Sequence, residues 1–233
     1  MLTLPRIAVG PRSSSLSDTP DAPPKIVRGS RRRATVQHGA MSTPTYRIRR
    51  AVTEDIPAIL DLIGSAAQWL QKYKNTDQWA RPWPTEWERD ARITRNVNRG
   101  STWMVEENGD LAATITYRNK GNPKLWTADE LDEPAVYVSR LIVSRSQAGR
   151  GLGAALINWA GLRGKEQWGA ESIRVDVWTT NLALHEYYKG NGFEHLRTLQ
   201  FEDPWEYPSA ALFQKPMTAV DGSSAKLFQE WGV

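Results

Sequence analysis

The chain has 233 residues, 40% of them hydrophobic, and a formal net charge of +4, enough for one ordinary domain with tails or at most two small ones. It contains no cysteine, which excludes disulfides, thiolate metal sites and a cysteine nucleophile. Its only histidines, His38, His185 and His195, form no H-x-x-x-H pair, which argues against a side-chain metal site and a Ser-His-Asp system, and no apolar run approaches the length that spans a bilayer.

Residues 1–44 are rich in Pro, Ser and Arg and hold seven basic against two acidic side chains. Without a periodic apolar pattern they read as a disordered basic tail. They show no secretory signal, so a cytoplasmic protein is expected, and Met41 offers an alternative start. The chain beyond residue 44 is close to neutral, about −1, so neither a nucleic-acid face nor a membrane partner is indicated.

The ordered pattern begins with an alternating strand, "YRIRRA". In "TEDIPAILDLIGSAAQWLQKY", Thr53 is placed to cap a helix whose apolar face runs from Ile56 to Leu70. A second helix follows Pro84, capped by Thr85 and ended by Gly100. "STWMVEENGDLAATITYR" is a hairpin, with Asn108-Gly109 supplying the positive φ angles of a type I′ turn. A polar loop over 119–134 holds room for a short helix. Next come a strand (135–143), a helix (151–169), a strand (172–180) and a helix from Asn181 to about Lys189. Strands near "FEHLRTL" and "ALFQKPM" close a domain spanning 45–217, and residues 218–233 read as a loosely attached tail. A hairpin-led half followed by a β-α-β unit predicts an α/β fold with a central mixed sheet and helices on both faces.

The strand-to-helix passage "VYVSRLIVSRSQAGRGLGAALINWAG" places Gly149, Gly151 and Gly153 at alternate positions. A helix start carries about four unpaired N–H groups and partial positive charge, so it favours an anion. Glycines there let phosphate oxygens approach the amides without a Cβ in the way, and Arg150 adds a mobile cation. A tight turn with no ligand would use the same glycines, and G-x-G-x-G alone does not separate the two.

"SRLIVSRSQAGRGLGAALINWA" closely resembles the acetyl-CoA signature of the GCN5-related N-acetyltransferases, R/Q-x-x-G-x-G/A at a helix start, with Gly151 and Gly153 at the glycine positions. Its first position falls on Ala148, with Gln147 one residue early, a departure of one side-chain contact. A second block, "VDVWTTNLALHEYYKGNGFEHL", is similar to the family's N-x-x-A…Y-x-x-x-G-F unit. Its positions are Asn181, Leu184 (usually a small residue), Tyr188, Gly192 and Phe193. The order of elements from residue 45 to about 217 fits as well.

The resemblance implies acetyl-CoA as cosubstrate, with pantetheine along Leu141, Ile142 and Val143. The pyrophosphate would rest on Gly149, Arg150, Gly151, Leu152, Gly153 and Ala154, with Asn181 also at the cofactor. A small-molecule amine would attack directly, with no metal or covalent enzyme intermediate. Tyr188 matches the usual general acid, since a phenol is protonated at neutral pH; Tyr187 is its neighbour and rival. The strand position where many members carry a glutamate falls on Tyr137, leaving Glu86, Asp77, Glu133 or a water chain as base. Trp69, Trp79, Trp83 and Trp87 border the expected acceptor region and suit an apolar or aromatic amine, drawn by Asp77 or Glu86, or else they only pack two helices. A homodimer is admitted. Rival readings are a protein N-acetyltransferase, a dinucleotide-binding domain ("GRGLGA" also satisfies G-x-G-x-x-A) and a non-catalytic CoA-binding module.

Overall fold

Alternation in the first strand, β1 (Tyr46–Arg50), buries Tyr46 and Ile48 and leaves Arg47 exposed, as a half-covered strand requires. The structure is a computed structural model and describes residues 45–74, 76–203 and 206–232; the expected basic tail, 1–44, lies outside the described residues. Thr53 does not cap the first helix. A short 3-10 turn, Thr53–Asp55, precedes α1 (Ile56–Tyr73). Asp55 turns its carboxylate back to the Val52 N–H at 2.8 Å and to Arg49 at 2.6 Å. The carboxylate outcompetes the threonine because it satisfies an open amide and a cation together.

Thr85 does cap α2 (Glu86–Asn98), its hydroxyl accepting the Glu88 N–H at 3.2 Å, and Gly100 ends it at φ 64°. β2 (Thr102–Glu107) and β3 (Asp110–Arg118) form the hairpin, with Asn108 and Gly109 at φ 55° and 91°. After the short α3 (Ala128–Asp132) come β4 (Ala135–Val143), α4 (Leu152–Trp168), β5 (Ser172–Val177), α5 (Leu182–Gly190), β6 (Glu194–Thr198) and β7 (Ala211–Pro216).

The strands lie in the order β6-β7-β5-β4-β3-β2-β1-β8, where β8 is Phe228–Glu230. β4 and β5 are parallel, and helices cover both faces, so the expected mixed α/β sheet is present. Side chains alternate between two cores. Trp103, Val105 and Ile115 meet α4 through Leu156, Trp159 and Ala160. Met104 and Ile142 meet α1 and α2 through Ile59, Ile63, Ile93 and Val97.

Residues 218–230 are not a loose tail. β8 pairs parallel with β1. Phe228 is buried, 5.9 Å from the Tyr46 ring and 6.1 Å from Trp159. Ser224 is also buried and accepts from the Asn158 amide at 3.2 Å. A three-residue strand carries little periodic signal, yet its Phe228 closes the edge of the Trp103–Trp159 core.

Candidate active site

The site begins where two strands part. β4 and β5 pair only from Ala135 to Val138 and from Ser172 to Val175. Beyond that point β4 keeps β3 on one side and, among the described residues, has no strand on the other. A bulge falls in the same stretch: Ser139 faces Thr116 and Ile142 faces Thr114, so Arg140 and Leu141 share one partner. Arg140 takes φ 45°. The bulge inverts the alternation, with Val136 and Val138 in the α4 core before it, Leu141 and Val143 against that core after it, and Ile142 on the opposite face.

The parted strands open into a cleft of about 1150 Å³. Leu141, Ile142 and Val143 line it along β4, and Gly149, Gly151, Leu152, Gly153 and Ala154 line it at the glycine turn. Gly149 and Gly151 stand at φ 80° and 77°, where other residues are strained, and a Cβ on either would project into open space. Gly151 is the N-cap of α4 and no side chain caps that helix. Gly153 differs: the Tyr187 hydroxyl lies 2.7 Å from where its Cβ would be, so a side chain there would displace that phenol. An uncapped helix start with unobstructed amides, beside an unpaired strand edge, fits a pyrophosphate followed by an extended amide-bearing arm.

Arg150 is not the free cation expected. It makes a two-pronged pair with Glu107, at 2.8 Å on each prong, and does not line the cleft. Gln147, Tyr46 and Glu107 complete that brace behind the turn. Arg145 lines the cleft instead, 3.9 Å over the Trp69 ring. Asn181 lines it too, but its side chain is engaged: its Oδ1 caps α5 through the Leu184 N–H at 3.1 Å, and its amide donates to Gln78.

Tyr188 is buried, 5.2 Å from the Phe193 ring and 5.5 Å from Tyr187, and borders the cleft. Burial pushes its phenol well above the ordinary range, with Tyr187 and Asp176 adding to the rise. It therefore stays protonated throughout the neutral range. Tyr187 also reaches the cleft and is raised by burial.

None of the expected bases lines the cleft. Burial raises Asp77, but bonds from Thr180 and from the Trp178 indole at 2.8 Å outweigh it and hold the acid below its usual value. Glu133 pairs with the buried Arg174. Glu86 is exposed at the start of α2, near Arg89, so neither Asp77 nor Glu86 is placed to draw an acceptor cation. Tyr137 is buried under Trp126, its hydroxyl taken by Arg174 at 2.9 Å.

The carboxylate that lines the cleft is Asp176, at the end of β5 just past the last β4 pair. Removal from water pushes it up to about 6, against the pull of Arg118, a 3.4 Å bond from the Tyr207 hydroxyl and Arg140. Of the four tryptophans, Trp69, Trp79 and Trp83 line the cleft while Trp87 is exposed. Trp83 meets Tyr207 edge-on at 5.0 Å, so segments before α2 and before β7 wall the acceptor end.

This parted sheet, with an anion cradle at a helix start and a protonated phenol and a carboxylate lining the same cleft, is the frame of an acyl-group transferase. The profile of the Acetyltransferase (GNAT) family matches residues 65–193, and the chain belongs to that family. It is 30% identical to the uncharacterized N-acetyltransferase YesJ of Bacillus subtilis over 174 residues, 72% of this chain and 89% of that protein. A GNAT-family acetyltransferase from Listeria monocytogenes superposes with a TM-score of 0.58 at 24% identity, covering 73% of this chain and 94% of that one. The PaiA N-acetyltransferase of Thermoplasma acidophilum, solved with coenzyme A, gives 0.55 at 15% identity, over 73% and 98%. The protein is thus an N-acetyltransferase, with acetyl-CoA as cosubstrate. Among the described residues no helix is long and apolar enough to cross a membrane.

Proposed function

We propose that the protein acetylates a primary amine of a small molecule, with Asp176 taking the amine's proton and Tyr188 supplying one to the departing sulfur. The observation that carries this reading is that Asp176 and Tyr188 both line the cleft that opens where β4 and β5 part. Acetyl-CoA supplies the thioester that the amine attacks and the thiolate that leaves. Gly149, Gly151, Leu152, Gly153 and Ala154 would hold its phosphates, and Leu141–Val143 its extended arm.

Asp176, ionised at neutral pH because it titrates near 6, accepts the ammonium proton and frees the nitrogen lone pair. As the C–N bond forms and the C–S bond breaks, Tyr188 donates its proton toward sulfur. Trp83 and Tyr207 close the acceptor end into a walled pocket, which favours a small molecule over a protein terminus laid in a groove. The test is CoA-thiol release across amines, amino acids and peptides. Turnover of small amines is the expected result; turnover confined to peptides would reassign the acceptor, and binding of acetyl-CoA with no turnover would leave a ligand-binding module.

A further inference from the structure

The cleft holds far more positive than negative charge. Among the described residues nine Lys and Arg side chains line it, against a single carboxylate, Asp176. Three of the nine gather around Asp176 and Tyr207: Arg92 from α2, Arg118 at the end of β3 and Arg140 in the β4 bulge. Arg118 stands opposite Tyr137. From there to Val143, where β4 leads into the glycine turn, is on the order of 20 Å at the usual rise of a strand. Arg118 is therefore at the acceptor end, Arg92 stands there against the Trp83 ring, and Arg140 reaches the same group from the β4 bulge.

These arginines outnumber the one carboxylate they surround, Asp176. Among the described residues none of the three forms an ion pair. The Nε groups of Arg92 and Arg118 are buried with no hydrogen-bond partner among the described residues. Burial, Arg92 and Arg118 together hold Arg140 down to about 10. Arg92 is fixed in place, 4.6 Å over the Trp83 ring and donating to the Trp83 carbonyl. Like charges assembled out of water and left unpaired are costly to hold, and an arriving anion relieves that cost. The planar guanidinium matches a carboxylate or phosphate with two parallel bonds.

We propose that the acceptor is an amine that also carries an oxyanion, a carboxylate or a phosphate, seated among Arg92, Arg118 and Arg140 with its amine facing Asp176. This rests on the acyl-transfer reading and narrows it: a polycationic amine meets net repulsion at the same place.

The experiment compares kcat/KM for L-phenylalanine with L-phenylalaninamide and for phosphoethanolamine with ethanolamine, with spermidine as the cationic case. At least one anionic amine should exceed its neutral counterpart by about tenfold or more, and the two pairs separate carboxylate from phosphate. In the first pair this runs against intrinsic reactivity, because the amide's less basic amine sheds its proton more readily. Arg118→Gln should abolish the preference and leave acetyl-CoA affinity within about twofold, whereas the exposed Lys226→Gln should retain it. A best substrate that is neutral or cationic overturns the proposal. If none of the five amines is acetylated, calorimetric titration of inorganic phosphate into CoA-saturated protein decides. Saturable binding weakened about tenfold by Arg118→Gln supports the anion site, and binding that is absent or unchanged overturns it. Failure to bind acetyl-CoA at all would instead overturn the acyl-transfer reading, and this proposal with it.

Discussion

Asp176 and Tyr188 divide the proton work because one cleft treats two acids differently. Burial disfavours the charged form of each, which keeps the phenol protonated but brings the carboxylate only up to about 6. If Asp176 is the base, kcat/KM for an amine falls about tenfold per unit as pH drops below about 6, and Asp176→Asn removes that limb with a loss of roughly 10²-fold or more. The same shift sets a stability signature. The folded state holds this proton more tightly than the unfolded chain does, so the stabilisation is complete below the ordinary value of 3.8 and is lost as pH rises through about 6. Asp176→Asn should therefore melt no lower than wild type at pH 8, with a gain in stability of at most about 3 kcal/mol. A lower melting temperature there would mark Asp176 as structural. For Tyr188→Phe, kcat should fall roughly 10²-fold or more with acetyl-CoA affinity little changed, while Tyr187→Phe stays far more active; near-normal single-turnover rates in Tyr188→Phe would hand the proton to water.

At the scale of elements, the glycine turn and the closing strand make different predictions. Gly151 needs a left-handed backbone in front of open space, so Gly151→Asn, which tolerates that backbone, should keep the fold while its side chain, entering the phosphate cradle, weakens acetyl-CoA binding moderately. Gly151→Glu adds a negative charge at the helix start, and calorimetry should show acetyl-CoA affinity collapsing while circular dichroism stays native; equal affinity in the two variants would return the glycines to a mere turn. Phe228→Ala in β8 should cost roughly 3 kcal/mol, about 6–12 °C of melting temperature. A shift under about 2 °C would mean the segment is loosely held after all. The alternating hairpin, the capped α2 and the glycine-flanked α4 were legible because each rests on local chemistry. β8 was not, because a three-residue strand leaves no period to read. Nor was Asp176: in "SIRVDVWTT" it is simply one of the alternating polar members, with Ser172 and Arg174, and only the parting of β4 from β5 makes it a site residue. Arg92, Arg118 and Arg140 come from three elements, so no spacing could join them.

Over the whole molecule, charge is distributed unlike its sum. Residues 1–44 carry the net excess and the rest is near neutral, yet one cleft collects nine cations. β1 begins at Tyr46, so a chain starting at Met41 should melt within about 2 °C of full length and bind acetyl-CoA as well; a larger loss would place part of 1–40 in the fold. The most direct measurement is a single turnover with enzyme in excess over acetyl-CoA, followed by mass spectrometry of protein and acceptor. Direct transfer predicts that the acetyl group leaves CoA only when amine is present and appears on the amine nitrogen, with the protein unmodified throughout. Acetylated protein accumulating before amine is added, or acetyl-CoA held intact beside every amine of the panel, would contradict it.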